Sequence, residues 1–171
     1  IAELRNHKTE EEVAEMRKTA VVTREAHVLA MARTRAGIYE QELAGIVDGT
    51  FLKHGCVPAY NTILSVRGEV LHNDRHDNLL REGDIVLLDA GAETQSGYCS
   101  DVTRCWPVGG RFGAEGRAIY EIVLRSQLAA IAKVAPGTSY FDVHMTACRE
   151  IAAGLVDLGV LRGEVDSLVE S

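Results

Sequence analysis

Asp89 and Asp101, twelve residues apart, are the two side chains best placed by type and spacing to do chemistry. They lie in the segment L-L-D-A-G-A-E-T-Q-S-G-Y-C-S-D-V-T-R, residues 87–104. Asp89 ends the apolar run Ile85-Val86-Leu87-Leu88, where a lone carboxylate is costly. A polar turn over Thr94 to Gly97 then returns the chain into a second strand, from Tyr98 to about Val108. A hairpin centred on Gln95 sets Asp89 opposite Asp101 on one face. Side chains so placed have Cβ atoms about 4.5–5.5 Å apart, and like charges there repel. A cation between them turns the repulsion into a ligand set, and two divalent ions about 3.5–4 Å apart suit bridging carboxylates at this separation. The spacing alone leaves other arrangements open. One aspartate could be protonated or paired with Arg104, or the register could turn the two apart.

The elements that must position this pair can be read from periodicity. Thr9 and Glu12 form a capping box for a helix running to about Thr34, with Val13, Met16, Ala20 and Ala30 or Met31 on its apolar side. Gly37 breaks it, and a second helix carries Leu43, Ile46, Val47, Thr50 and Phe51 on one face before Gly55. Tyr60 to Val66 and Glu69 to His72 read as strands around a turn at Arg67-Gly68. Ile85 to Leu88, apolar on both faces, reads as a buried strand, and Gly109-Gly110 ends the sheet region. Helices are expected again over about Ala114 to Lys133 and Tyr140 to Leu158, the latter with Val143, Ala147, Ile151, Leu155 and Leu158 on one face. A short last helix is expected over Glu164 to Val169.

R-T-R-A-G-I-Y-E-Q-E-L, residues 33–43, is weakly similar to K-V-A-P-G-T-S-Y-F-D-V, residues 133–143, with Gly37 aligned on Gly137. Each glycine separates two helices, so the repeating unit would be helix, helix, then strands. On that reading the first repeat would span about 9–110, and about 111–171 would be the helical part of a second whose strands are expected to be missing. The chain also opens on Ile1 rather than Met, as if something upstream were left out.

The remaining residues give blander readings. His72, Asp74 and His76 alternate, but the polar run from Asn73 to Asn78 suits a solvated turn. His27 and His144 lie within helices as structural or surface residues, and Glu10 to Glu12 complement a helix N-terminus. G-G-R-F-G, residues 109–113, lacks the ending of a phosphate loop and reads as a linker. Cys56, Cys99, Cys105 and Cys148 have no zinc spacing and are expected to be buried, reduced thiols of a cytoplasmic protein. A net charge of −7 with 5% aromatic residues argues against a nucleic-acid partner. No apolar run is long enough to span a membrane, and no secretory signal pattern opens the chain.

At D-A-G-A-E and G-Y-C-S-D-V-T-R the sequence resembles the metal-binding hairpin of the Xaa-Pro aminopeptidases, within the pita-bread metallopeptidase family. P-A-Y-N-T-I-L-S (58–65) is similar to the strand that opens that family's sheet, and V-L-H-N (70–73) to its histidine strand. L-R-E-G-D-I-V-L-L-D-A-G (80–91) is similar to its approach to the first ligand. G-L-V-D-L-G-V-L-R-G-E-V-D (154–166) is similar to the stretch before its metal-binding histidine. The resemblance implies an α+β pita-bread fold, a curved, mainly antiparallel sheet backed by long helices, present as the first half of a pseudo-twofold domain. It implies two divalent metal ions, manganese or cobalt, with Asp89 and Asp101 as ligands and Asp101 bridging. By the same resemblance His72 is catalytic and lies by the substrate, Tyr60 is a substrate-side aromatic, and Arg104 orients Asp101 from behind.

The implied reaction is hydrolysis of the N-terminal Xaa-Pro bond of peptides with proline at position two, by a hydroxide activated between the metals. The intact protein is expected to be a homo-oligomer. A prolidase or methionine aminopeptidase-type activity is the neighbouring alternative, and a non-catalytic binding module of the same fold is the alternative from another class. The family's further ligands, a histidine and two glutamates, would lie past Ser171, so the chain alone is expected to be inactive.

Overall fold

The computed structural model describes residues 2–170. It divides into two compact units, residues 1–112 and 113–171. In the first, α1 (Ala2–Asn6) precedes the long α2 (Glu10–Arg33) and then α3 (Glu40–Lys53). Thr9 caps α2 as expected: Glu12 N donates to Thr9 Oγ1 at 3.3 Å, and Thr9 N to Glu12 Oε2 at 2.7 Å. Gly37, with φ +86°, makes the turn between these helices, and Gly55, with φ +69°, ends α3.

Five strands follow: β1 (Val57–Pro58), β2 (Ile63–Ser65), β3 (Ile85–Ala90), β4 (Ala92–Glu93) and β5 (Val102–Pro107). All pairings are antiparallel, β2-β3-β5 in one sheet and β1-β4 in another. α2 and α3 back them, because Val22, Ala26, Ala30, Leu43, Val47 and Phe51 form one core with Leu64, Val86, Leu88, Ala90 and Trp106. Trp106 Nε1 donates to Thr34 Oγ1 at 2.8 Å, closing the far end of that core.

Several expectations are corrected here. Glu69 to His72 is not a strand; residues 66–78 form a loop, because Glu69 and the polar run beyond it have no neighbouring strand to pair with. β3 is buried on one face only, with Val86, Leu88 and Ala90 inside and Ile85 exposed. The inner face of α2 is not Val13, Met16 and Ala20 but Thr19, Val22, Thr23, Ala26, His27 and Ala30, half of them polar. The four cysteines are free, yet only Cys56 is buried and Cys99 is exposed.

The second unit consists of α4 (Ala114–Lys133), α5 (Tyr140–Asp157) and α6 (Val165–Glu170). α4 and α5 close on Gly154, where a Cβ would lie 2.6 Å from Ile122 Cγ1. The buried positions of α5 are Ala152 and Gly154, while Ile151 and Leu158 of its expected apolar face stay exposed. Gly137 and Gly159 take φ +86° and +72°, close to the values at Gly37 and Gly55.

Candidate active site

The β3–β5 hairpin is built around its backbone register. Asp89 pairs with Thr103, and Ala90 with Val102. The centre is therefore Ser96 rather than Gln95, with Glu93 bridged to Cys99 across the turn. The direct Asp89–Asp101 pairing is corrected to a diagonal one. A slip of two residues leaves facing unchanged, because side chains alternate with period two. Asp101, two residues before Thr103, still points to the same side as Asp89. The two carboxylates converge on one atom: Tyr60 Oη lies 2.6 Å from Asp89 Oδ1 and 2.9 Å from Asp101 Oδ1. One phenol proton serves two acids. Burial, then the hydrogen bonds to both carboxylates, push the Tyr60 phenol far above its ordinary pKa, so it stays a donor.

A helix and a glycine enforce this geometry. Gly91 sits so close to the returning strand that a Cβ would lie 1.7 Å from Ser100 O. Behind it, Thr23 of α2 meets Ser100, Oγ1 to Oγ at 2.6 Å, and Ala92 N donates to Thr23 Oγ1 at 3.0 Å. His27, buried one turn further on, reaches Val102 O through Nε2 at 2.9 Å and Thr23 O through Nδ1 at 2.9 Å. α2 thus grips the chain on both sides of Asp101. An apolar-periodicity reading passes over these residues because they are polar; their spacing of four along one helix face is the signal that could have found them.

The carboxylates open on a cleft of about 420 Å³ lined by Tyr60, Asn61, Ile63, His72, Asp74, Asp89 and Asp101. His72 reaches it from the 66–78 loop with a left-handed backbone, φ 53°, uncommon for a residue with a side chain. Asp74 joins it there, whereas His76 turns away to Thr62 O at 2.9 Å. Arg104 does not orient Asp101: it follows Thr103 on the opposite face, and its Nη1 donates to Thr103 O at 2.7 Å. Two carboxylates sharing one proton donor at a cleft wall fit part of a cation site. They do not complete one, since among the described residues no group of three or more His, Cys, Asp or Glu side chains is placed to hold a metal.

The hairpin tip is held separately. Ser96 donates to Glu15 at 2.6 Å and Tyr98 to Glu12 at 2.7 Å. Both acids titrate below the usual carboxylate range, Glu12 chiefly through the Thr9 backbone N–H and then Tyr98, Glu15 chiefly through Ser96. Groups with lowered pKa values contribute stability that is complete above the ordinary carboxylate range and lost as pH falls through the lowered values. Amide protection factors at Thr94 and Gly97, corrected for the intrinsic pH dependence of exchange, should therefore fall on acidification through that range before those of the core. Equal falls in both would show that the acids do not hold the tip.

Residues 14–165 match the family model Metallopeptidase family M24. The chain belongs to this family. It is 40% identical to the Xaa-Pro aminopeptidase of Escherichia coli over 99% of its own length, and 37% identical to that of Haemophilus influenzae. In structure it is similar to Pseudomonas aeruginosa aminopeptidase PepP, with a TM-score of 0.92 over 96% of this chain. It is also similar to zinc-substituted E. coli aminopeptidase P in complex with product, with a TM-score of 0.91. At 40% identity with both structures, the fold is the pita-bread fold, present as a partial domain. The chain spans only 39% of the E. coli relative and 38% of the P. aeruginosa chain. Among the described residues no helix is long and apolar enough to cross a membrane.

Proposed function

We propose that this M24 chain forms the first part of a metal-dependent aminopeptidase that releases the residue preceding an N-terminal proline. The observation that carries the reading is the convergence of Asp89 and Asp101 on Tyr60 at the wall of a cleft that His72 also lines. The relatives named Xaa-Pro aminopeptidase support the bond specificity. Asp89 and Asp101 would hold two divalent cations, manganese or cobalt, with further ligands from the rest of the protein. Such cations would supply the charge that makes a water nucleophilic at neutral pH and that offsets charge on the scissile carbonyl oxygen. His72 donates a hydrogen bond to the peptide undergoing cleavage, and Tyr60 fixes the spacing of the carboxylates and borders the substrate.

The matching φ values at Gly37 and Gly137, and at Gly55 and Gly159, support reading the two helix pairs as copies of one unit. Four free cysteines suit a reducing compartment, the cytoplasm. The intact protein would work as a homo-oligomer.

The test uses the full-length protein, stripped of metal and titrated with manganese. Cleavage of a peptide with proline second, metal-dependent and absent for the matched peptide with alanine second, is expected. The 171-residue chain alone should bind manganese weakly and cleave neither. A full-length protein that takes up no divalent metal and cleaves neither peptide would instead be a binding module of the same fold.

A further inference from the structure

Glu40, the first residue of α3, is fully buried, and its hydrogen-bond partners are neutral donors rather than a cation. Oε1 accepts from Val66 N at 2.7 Å, and Oε2 from Asn78 N at 3.1 Å. Asn78 Nδ2 adds bonds to both oxygens, at 3.1 and 3.0 Å. Val66 and Asn78 are the two ends of the loop that carries His72. A carboxylate has acceptor sites on two oxygens and no donor, so it can tie two distant N–H groups to one point; an amide of the same shape cannot.

The neighbouring contacts extend the closure. Glu40 N donates to Asn78 O and Gln41 N to His76 O, each at 3.0 Å. Ser65 Oγ accepts from Arg67 N at 2.9 Å and from Asn73 Nδ2 at 3.3 Å, within one residue of His72. A left-handed residue with a side chain persists only where its surroundings over-determine it, and here both ends of its loop are fixed. The hairpin of Asp89 and Asp101 is fastened by α2, through Thr23 and His27, while its β3 strand also pairs with β2 at Ile63 to Ser65.

We propose that Glu40 is a positioning residue for His72: its buried carboxylate closes the 66–78 loop so that the imidazole is held at the cleft. This rests on the role of His72 in the proposed peptidase, and the test separates the two. In Glu40→Gln, whichever way the amide turns, either Val66 N or Asn78 N loses its acceptor. In the metal-loaded full-length protein, the variant should speed amide exchange within 66–78 at least about tenfold and leave manganese affinity unchanged. Turnover should fall by about 10- to 100-fold, the range a misplaced catalytic group produces. In a His72→Ala background the same substitution should lower turnover by less than about threefold, because contributions through one residue are not additive.

Equal losses in both backgrounds, unchanged exchange in 66–78, or loss of manganese affinity along with global stability would each overturn the proposal. If Glu40→Gln does not fold, Asn78→Ala, which keeps the backbone N–H and removes only the side-chain donor, carries the same comparison with a smaller effect. If the parent protein cleaves no peptide, the peptidase reading fails. Glu40 is then judged by exchange alone: a rise confined to 66–78 supports it, and none overturns it.

Discussion

Asp89→Asn in the full-length protein should abolish tight manganese binding and lower turnover about 1,000-fold or more, while the metal-free protein melts no lower than its parent. The expectation for turnover follows from magnitude. Divalent cations contribute several kcal/mol of transition-state charge stabilisation, and each 1.36 kcal/mol is about tenfold in rate. The expectation for stability comes from the geometry. Asp89 and Asp101 share one proton donor, Tyr60 Oη, so without cations they repel each other. An asparagine can still accept from the phenol while removing one charge, and the metal-free protein gains or keeps stability. A structural carboxylate would behave in the opposite way. Unchanged manganese affinity, or a metal-free variant more than about 1 kcal/mol less stable, as for a lost charged hydrogen bond, would refute the ligand assignment.

The facing of the two carboxylates was legible because it depends on parity alone. Any centre of the hairpin that differs by a whole residue keeps residues 89 and 101 on one side, so the error between Gln95 and Ser96 displaced the partner to Thr103 without turning Asp101 away. By the same parity Arg104, three residues past Asp101, falls on the other face. The helices were legible from punctuation: Thr9, Gly37 and Gly55 act locally, through caps and left-handed turns. What could not be read is what depends on distant partners. Glu69 to His72 has the texture of a strand, but a strand exists only against a neighbour. Glu40 looks like an ordinary acid at a helix start, and only the fold that returns Val66 and Asn78 to it makes it a buried clamp. Thr19, Thr23 and His27 are hidden for a related reason. A helix face is expected to be apolar, whereas this one is matched to the polar edge of a hairpin far along the chain.

Gly91→Ala should be the most damaging single methyl in the first unit, costing about 3 kcal/mol or more, at the upper end for overpacking, together with loss of manganese binding. The added Cβ would lie 1.7 Å from Ser100 O and 2.7 Å from Ser100 C, backbone atoms that cannot swing aside as a side chain would, with Tyr60 Cε1 at 3.2 Å. The returning strand must retreat, and Ser100 carries two things with it. It loses the 2.6 Å contact with Thr23 that fastens the hairpin to α2, and it draws the adjacent Asp101 away from Asp89. Stability and metal affinity therefore fall together, unlike in Asp89→Asn, where only affinity falls. Gly45→Ala is the matched control. Gly45 lies inside α3 with nothing within 4 Å of its added Cβ, so the same methyl should raise stability by about 0.5–1 kcal/mol through helix propensity. Denaturant midpoints and manganese titrations of the two variants decide the matter. Should Gly91→Ala match its parent in both, the hairpin has slack that the Ser100 contact denies, and the carboxylates are not held by backbone packing at all.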